Sequence, residues 1–371
     1  MGAVMKAAVV REVGKVSVET VSRPEPAAGE VLVRIAAAGI CHTDAHVLDG
    51  SVPVPLPAVL GHEGAGVVER VGAGVTSVAA GDHVVLSITY GCGTCFQCQQ
   101  AAFGLCETGL PHAVTGSMPD GTSRLYAGGS SHPERLSHFM FQSSFAEYAV
   151  VPAACAVRVR PDVPLEVAAL LACGASTGYG AVVRRAQIRP GTSVLVIGAG
   201  GVGSAVIMSA ALAGATTIIA ADRNPEALAF ARELGATHTV VVDGDEPATV
   251  AEAMRITGRG VDAAFDVVGA PGTLEQAFHA TRNGGDVIAI GVTAVTMTAT
   301  VPLYPLIYQK RLTGTVNGSI SPHIDIPAAL DAFRAGRLPL DRLITRRYDL
   351  DQIDTALTDL HGSVGRGVIV F

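Results

Sequence analysis

From about residue 190 the chain settles into a strict alternation. The runs SVLVIG, TTIIAAD, HTVVVD, DAAFDVVG and DVIAIG are apolar and rich in β-branched residues. Between them lie VGSAVIMSAALAG, NPEALAFARELG, PATVAEAMRITG and GTLEQAFHATRNG, which carry helical patterns. A strand that is apolar at every position must be covered on both faces, and helices between such strands can cover both. The alternation therefore predicts a parallel sheet with helices on either side. A further strand near RLTGTV completes a doubly wound sheet, so the fold class is α/β.

Gly198, Gly200 and Gly203 form G-x-G-x-x-G between the strand SVLVI and the helix that follows. Gly198 permits the tight turn, Gly200 lets a pyrophosphate approach the backbone, and Gly203 lets helix and strand pack closely. Gly201 lies in the same loop and is placed in the same site. The free N–H groups of the helix N-terminus favour phosphate. Asp222 ends the next strand, where a carboxylate can accept hydrogen bonds from adenosine ribose hydroxyls. This favours NAD over NADP, although the adjacent Arg223 could accommodate a 2′-phosphate. A glycine-rich turn that binds nothing is the competing reading. The strand, helix and acidic residue, all in register, argue against it.

Residues 1 to about 150 have another texture, short strands such as KAAVV, VLVRIAAAGI, GAGVVERVG and DHVVLSI broken by Gly and Pro, and predict a β-rich domain. Within them Cys92, Cys95, Cys98 and Cys106 are spaced C-x2-C-x2-C-x7-C. Four thiolates so close in sequence can enclose one tetrahedral zinc, and a closed site of this kind is structural. Residues 107–138 read as a long loop, and the final GVIVF as an edge strand. The net charge of −7, without a Lys or Arg run, disfavours nucleic-acid binding. No apolar run is long enough to span a membrane, and MGAVMKAAVV lacks a secretory pattern, so a cytoplasmic location is expected.

Three more segments, CHTDAH from Cys41, GHEGAGVVE with His62 and Glu63, and LACGASTGYG with Cys173, bring further Cys and His residues. Together with the four cysteines and the glycine fingerprint, in this order along the whole chain, they resemble the zinc-dependent medium-chain alcohol dehydrogenases. The resemblance implies a GroES-like catalytic domain over residues 1–175 and 316–371, with a zinc lobe at about 91–107. It implies a Rossmann NAD-binding domain over 176–315. Cys41, His62 and Cys173 match catalytic zinc ligands, giving two zinc ions per chain. Two thiolates and an imidazole leave a fourth position open. Glu63 matches a residue behind the metal, Asp44 one that fixes the tautomer of the His ligand, and Thr43 and His46 a proton relay. His42 and Arg366 match groups on the cofactor pyrophosphate. Thr177 and Val202 match residues near the nicotinamide, and Val268 and Val292 are placed in the same cofactor site. Cys155 and the histidines outside these motifs read as structural.

The long loop resembles the branch near class III, which includes glutathione-dependent formaldehyde dehydrogenases. Where that branch carries acidic residues for a thiol adduct, this chain has Val52 and Val54. An apolar pocket mouth, suited to primary, aromatic or allylic alcohols, is expected instead. Ile88, Met140, Phe141 and the segment Val292–Thr293 are expected to line the pocket. TATVPLYPLIYQKRLTG is expected to supply a strand at a homodimer contact. Two alternatives remain, a thiol-dependent formaldehyde dehydrogenase and a non-catalytic nucleotide-binding protein. The second is disfavoured by the presence of all three ligands.

Overall fold

The computed structural model describes residues 3–128, 133–242, 247–292, 296–360 and 362–371. Of the positions read above, Thr293 lies outside them, as do His132 and His361.

The alternating segment forms one all-parallel sheet. Its strand order is His238–Val241, Thr217–Asp222, Ser193–Ile197, Val261–Asp266, Thr281–Ala289 and Arg311–Gly314. Every residue of Ser193–Ile197 is buried, as its unbroken apolar run requires. The order reverses between Ser193–Ile197 and Val261–Asp266, which opens a crevice at the carboxyl ends of these two strands. Helix Gly201–Leu212 buries Gly203, Ser204, Ala205 and Ser209, and these small side chains let it lie close to the sheet. A Cβ at Gly203 would overlap the carbonyl oxygen of Gly198. Helix Pro225–Glu233 starts with a side-chain cap, Asn224 Oδ1 accepting from Glu226 N at 2.9 Å.

The other elements build a seven-stranded sheet in the order Ala156–Val159, His83–Leu86, Gly64–Val71, Glu30–Gly39, Arg366–Val370 and Ile344–Tyr348. Its seventh strand, Tyr148–Pro152, also pairs with Glu30–Gly39. A three-stranded sheet of Lys15–Ser22, Val4–Glu12 and Ala58–Val59 lies apart from it. One apolar core joins the two main sheets, running from Ala37 and Val85 through Ala168, Leu171 and Ala175 to Val194 and Val206. Helix Gly174–Gly180 crosses this junction almost wholly buried.

Two expectations are corrected. The C-terminal run is not an edge strand. Arg366–Val370 lies inside the sheet, antiparallel to Glu30–Gly39 and parallel to Ile344–Tyr348. Its first four residues are buried, which its apolar run allows. Residues 107–138 are not a patternless loop either. They contain helix Leu110–Thr115 and a hairpin of Leu125–Ala127 with Glu134–Leu136. Polar contacts hold this segment down. Arg124 Nη2 donates to Glu30 Oε1 at 2.8 Å and to Asp120 Oδ2 at 2.7 Å. His138 Nε2 accepts from Arg124 N at 3.0 Å, and burial, aided by the charges of Arg124 and Arg135, keeps this histidine neutral by pulling its pKa down to about 3.

Candidate active site

Asp44 organises the first cluster from inside helix His42–Leu48. Its carboxylate is fully buried and accepts from Cys41 N at 3.2 Å and Gly61 N at 3.0 Å, and it faces His62 Nδ1 at 3.1 Å. That contact places the imidazole proton on Nδ1 and leaves Nε2 as a lone-pair donor. Phe139 packs edge-on against the ring, with centroids 5.1 Å apart. His62 Nε2 is buried and has no hydrogen-bond partner among the described residues. Ligand atoms of Cys41, His62, Glu63 and Cys173 all lie within 4.8 Å of one another.

These groups have the right chemistry for a divalent cation. Contact with Cys173, and then the charge of His62, holds the Cys41 thiol well below the usual range. The same contact, with burial, pushes Cys173 well above it. Burial opposes charge on His62, but Asp44 and Cys41 outweigh it and raise the imidazole pKa. A dipositive ion would favour both thiolates and the neutral imidazole. An orphaned nitrogen donor beside two soft sulfurs fits zinc.

Glu63 sits behind the cluster. Its Oε1 accepts from Gly174 N at 3.0 Å and from the Arg366 guanidinium. Its Oε2 is buried and unpartnered among the described residues. Burial raises the pKa of this carboxyl against the pull of Arg366. Gly39 makes room for it, since a Cβ there would overlap Oε2. Arg366 extends from Glu63 to the glycine loop, where a Cβ at Gly201 would overlap its Cδ. One buried side chain therefore connects the metal-type cluster with the loop Gly198–Gly203.

That loop has the form of a phosphate cradle. Gly198 has φ of 96°, which only glycine adopts readily. A Cβ on it would lie 2.9 Å from Val268 Cγ2. A Cβ on Gly200 would meet nothing within 4 Å, so the backbone is open there. Helix Gly201–Leu212 starts without a side-chain cap, leaving its first N–H groups to a ligand. Asp222 Oδ2 accepts from Ala199 N at 2.6 Å and Oδ1 from Asn224 N at 2.8 Å, which fixes the carboxylate beside the loop. Val268 and Val292 are exposed just beyond the strands Val261–Asp266 and Thr281–Ala289, Val202 is half-buried, and Arg223 is exposed.

Thr43 lies beside Cys41, with Oγ1 3.7 Å from Sγ. His46 is half-buried three residues on, its Nδ1 3.5 Å from Asp49 Oδ2. His42 is exposed at the start of the same helix. Thr177 is not free. Its Oγ1 lies 3.1 Å from Asn317 Oδ1. Val52 and Val54 are half-buried against the apolar core that also contains Phe139 and Phe141. Met140 packs there too, and Ile88 N donates to Ala172 O at 3.4 Å, next to Cys173.

The four-cysteine lobe forms a second cluster with sulfurs within 4.8 Å of one another. Backbone N–H groups of Cys92, Cys95, Cys98 and Gly109 point at its sulfurs at 3.3–3.4 Å. Contact with Thr94 brings Cys92 down to about 5, whereas burial pushes Cys98 up to about 12. Such a split is what crowded thiols adopt by themselves, and a cation in their midst lets all four ionise. The sequence reading missed Phe139 and Asn317. Phe139 belongs to an unremarkable apolar stretch, and the only signal for Asn317 is its place in the dipeptide Asn-Gly.

Comparison with known proteins shows the family. The family model for the alcohol dehydrogenase GroES-like domain matches residues 27–161, and that for zinc-binding dehydrogenases matches residues 201–335. An S-(hydroxymethyl)glutathione dehydrogenase of Synechocystis sp. is 38% identical, covering 98% of this chain and 99% of that protein. A solved alcohol dehydrogenase zinc-binding domain protein of Burkholderia ambifaria has a TM-score of 0.94 at 39% identity, covering 100% of this chain and 99% of that one. A benzyl alcohol dehydrogenase of Acinetobacter calcoaceticus has a TM-score of 0.93 at 35% identity, with the same coverage.

Proposed function

The chain belongs to the zinc-dependent medium-chain alcohol dehydrogenases, and from that premise we propose that it oxidises a primary alcohol, aromatic or allylic, to an aldehyde with hydride transfer to NAD. The observation that carries this reading is the convergence of Cys41, His62 and Cys173 on one point with His62 Nε2 unpartnered. Zinc held there would act as a Lewis acid on the alcohol oxygen and lower the pKa of its hydroxyl. A second zinc belongs to the four-cysteine lobe.

The chain's own residues do the rest. Thr43 accepts the alcohol proton and His46, at the edge of the site, passes it toward solvent. Asp44 holds the His62 tautomer. Glu63 answers the charge of Arg366, which with His42 meets the pyrophosphate above the loop Gly198–Gly203. Asp222 accepts from the adenosine ribose, Thr177 and Val202 flank the nicotinamide, and Val268 and Val292 belong to the same cofactor site. We assign residues 1–175 and 316–371 to the catalytic domain and 176–315 to the NAD-binding domain. The composition of the two main sheets supports this division. A homodimer through the edge strand Arg311–Gly314 is part of the reading, because Leu303, Tyr304, Ile307 and Leu312 are exposed beside it. So is a cytoplasmic setting, which suits seven free cysteines. Among the described residues no single helix is long and apolar enough to cross a membrane.

A second reading, oxidation of a formaldehyde–thiol adduct, is favoured by the name of the Synechocystis relative. Val52 and Val54 oppose it, since neither can hold a charged adduct. NADH absorbance decides. Benzyl, cinnamyl and longer primary alcohols are expected to turn over without added thiol, and turnover of formaldehyde only with a thiol would make the second reading correct.

Cofactor choice has its own test. Asp222→Ser removes the carboxylate that would repel a 2′-phosphate and leaves Arg223 in place. We expect kcat/KM with NADP to rise about tenfold or more, and with NAD to fall by a similar factor, about 1.4 kcal/mol each. Unchanged preference would remove Asp222 from the ribose site.

A further inference from the structure

Asn317, Gly318 and Ser319 are consecutive and hold φ of 46°, 66° and 58°. They turn the chain from strand Arg311–Gly314 toward helix Pro322–Arg334. For Asn317 and Ser319 this is a region that side chains disfavour, and Asn tolerates it best. The turn is pressed onto helix Gly174–Gly180. A Cβ at Gly318 would lie 2.6 Å from Thr177 O and 2.8 Å from Gly180 Cα.

The Asn317 side chain is buried inside this contact. Its Oδ1 lies 2.9 Å from Ser176 Oγ and 3.1 Å from Thr177 Oγ1, and its Nδ2 lies 3.0 Å from Thr89 Oγ1. One amide thus ties together the turn, the helix and the segment after strand His83–Leu86. Ser176 Oγ is also 2.9 Å from Cys173 O, and its single proton cannot serve both acceptors. Turning the amide end for end removes the conflict. Ser176 then donates to Cys173 O, both amide protons go to the hydroxyl oxygens of Ser176 and Thr177, and Thr89 donates to the amide oxygen. Every polar atom of the Asn317 side chain is satisfied, and the proton of Thr177 is left for a ligand.

We propose that Asn317 is a positioning residue, a latch that fixes helix Gly174–Gly180 and thereby holds Thr177 at a set distance from the nicotinamide ring. This rests on the assignment of Thr177 to the cofactor site in the proposed function. Hydride transfer is steeply sensitive to alignment, and a displacement of about 1 Å can cost about 100-fold. A buried amide with three partners in two other segments resists such a displacement. It also couples the helix to Cys173, whose carbonyl takes the Ser176 proton.

Asn317→Gly keeps the left-handed turn and removes the amide. Three quantities are measured on the zinc-loaded protein: amide hydrogen exchange, the NADH dissociation constant, and kcat with protio and deuterated alcohol. We expect exchange in residues 174–180 to quicken about tenfold or more, NADH affinity to stay within about threefold, kcat to fall about 10- to 100-fold, and the isotope effect on kcat to rise. Thr89→Val leaves the turn itself untouched and should shift the same quantities the same way but less. The double variant should be no worse than Asn317→Gly. Unchanged exchange in 174–180 overturns the latch, and so does a lower melting temperature with an unchanged isotope effect, which would make Asn317 structural only. If the wild type oxidises no alcohol, the proposed function fails, and the exchange arm still decides the latch.

Discussion

Cys173→Ser is expected to lower alcohol oxidation by about 1,000-fold or more and to halve the zinc content, from two ions per chain to one. Serine is nearly isosteric, but its hydroxyl is not ionised near neutral pH and is a poor zinc ligand. The variant also leaves Cys41 without its partner and returns His62 Nε2 to a buried position with nothing to bind. Without a Lewis acid the alcohol proton must leave at a pKa near that of water, about 16, and several kcal/mol of activation is lost, about 1,000-fold in rate. Elemental analysis and kcat/KM on the same preparation check this. Full activity with one zinc would show that the metal in the four-cysteine lobe alone suffices, and the assignment of the open site would fall.

Cys98→Ala should act on stability first. The lobe has almost no core of its own. Its elements are the short helices Phe96–Gln99 and Phe103–Leu105, and Phe96 is 64% exposed. What holds it together is four sulfurs around one point, and structural zinc contributes about 10–16 kcal/mol to folding in small zinc peptides. Losing one of four ligands should therefore lower the melting temperature by about 10 °C or more and release one zinc, while Cys41, His62 and Cys173 keep theirs. A melting temperature within about 2 °C of wild type would show that the lobe folds without its ion. The neighbouring backbone gives a geometric reason for a wider effect, because Gly104 of the lobe packs against Val316, next to Asn317.

The parallel sheet could be read from the sequence because the fully apolar strands admit one environment, burial on both faces. The glycine loop was legible for a similar reason. Gly198 at positive φ and Gly203 against its carbonyl oxygen are positions that other residues cannot fill. Local spacing also marked the four-cysteine lobe. It could not bring Cys173 to Cys41 and His62, which depends on the path of the chain through two sheets, and there the resemblance to a family supplied the grouping. The contacts that escaped are the ones with no local pattern. Arg124 binds Glu30 across 94 positions, which is why residues 107–138 looked featureless. Asn317 reaches Thr89 across 228. The C-terminal run was misplaced because an apolar strand tells how deeply it is buried but not which neighbours it has.

The position of that strand governs how the molecule can be made. Glu30–Gly39 and Ile344–Tyr348 become parts of one sheet only when Arg366–Val370 slides between them. Glu63 meets its counter-charge 303 residues later in the sequence. While the ribosome is still working through the parallel-sheet segment, the nascent first half must therefore wait with an open strand edge and an uncompensated acid in its interior. The six-stranded parallel sheet, closed by contiguous sequence, can fold during synthesis. The seven-stranded sheet is sealed after it, so the Glu63–Arg366 contact forms late in folding.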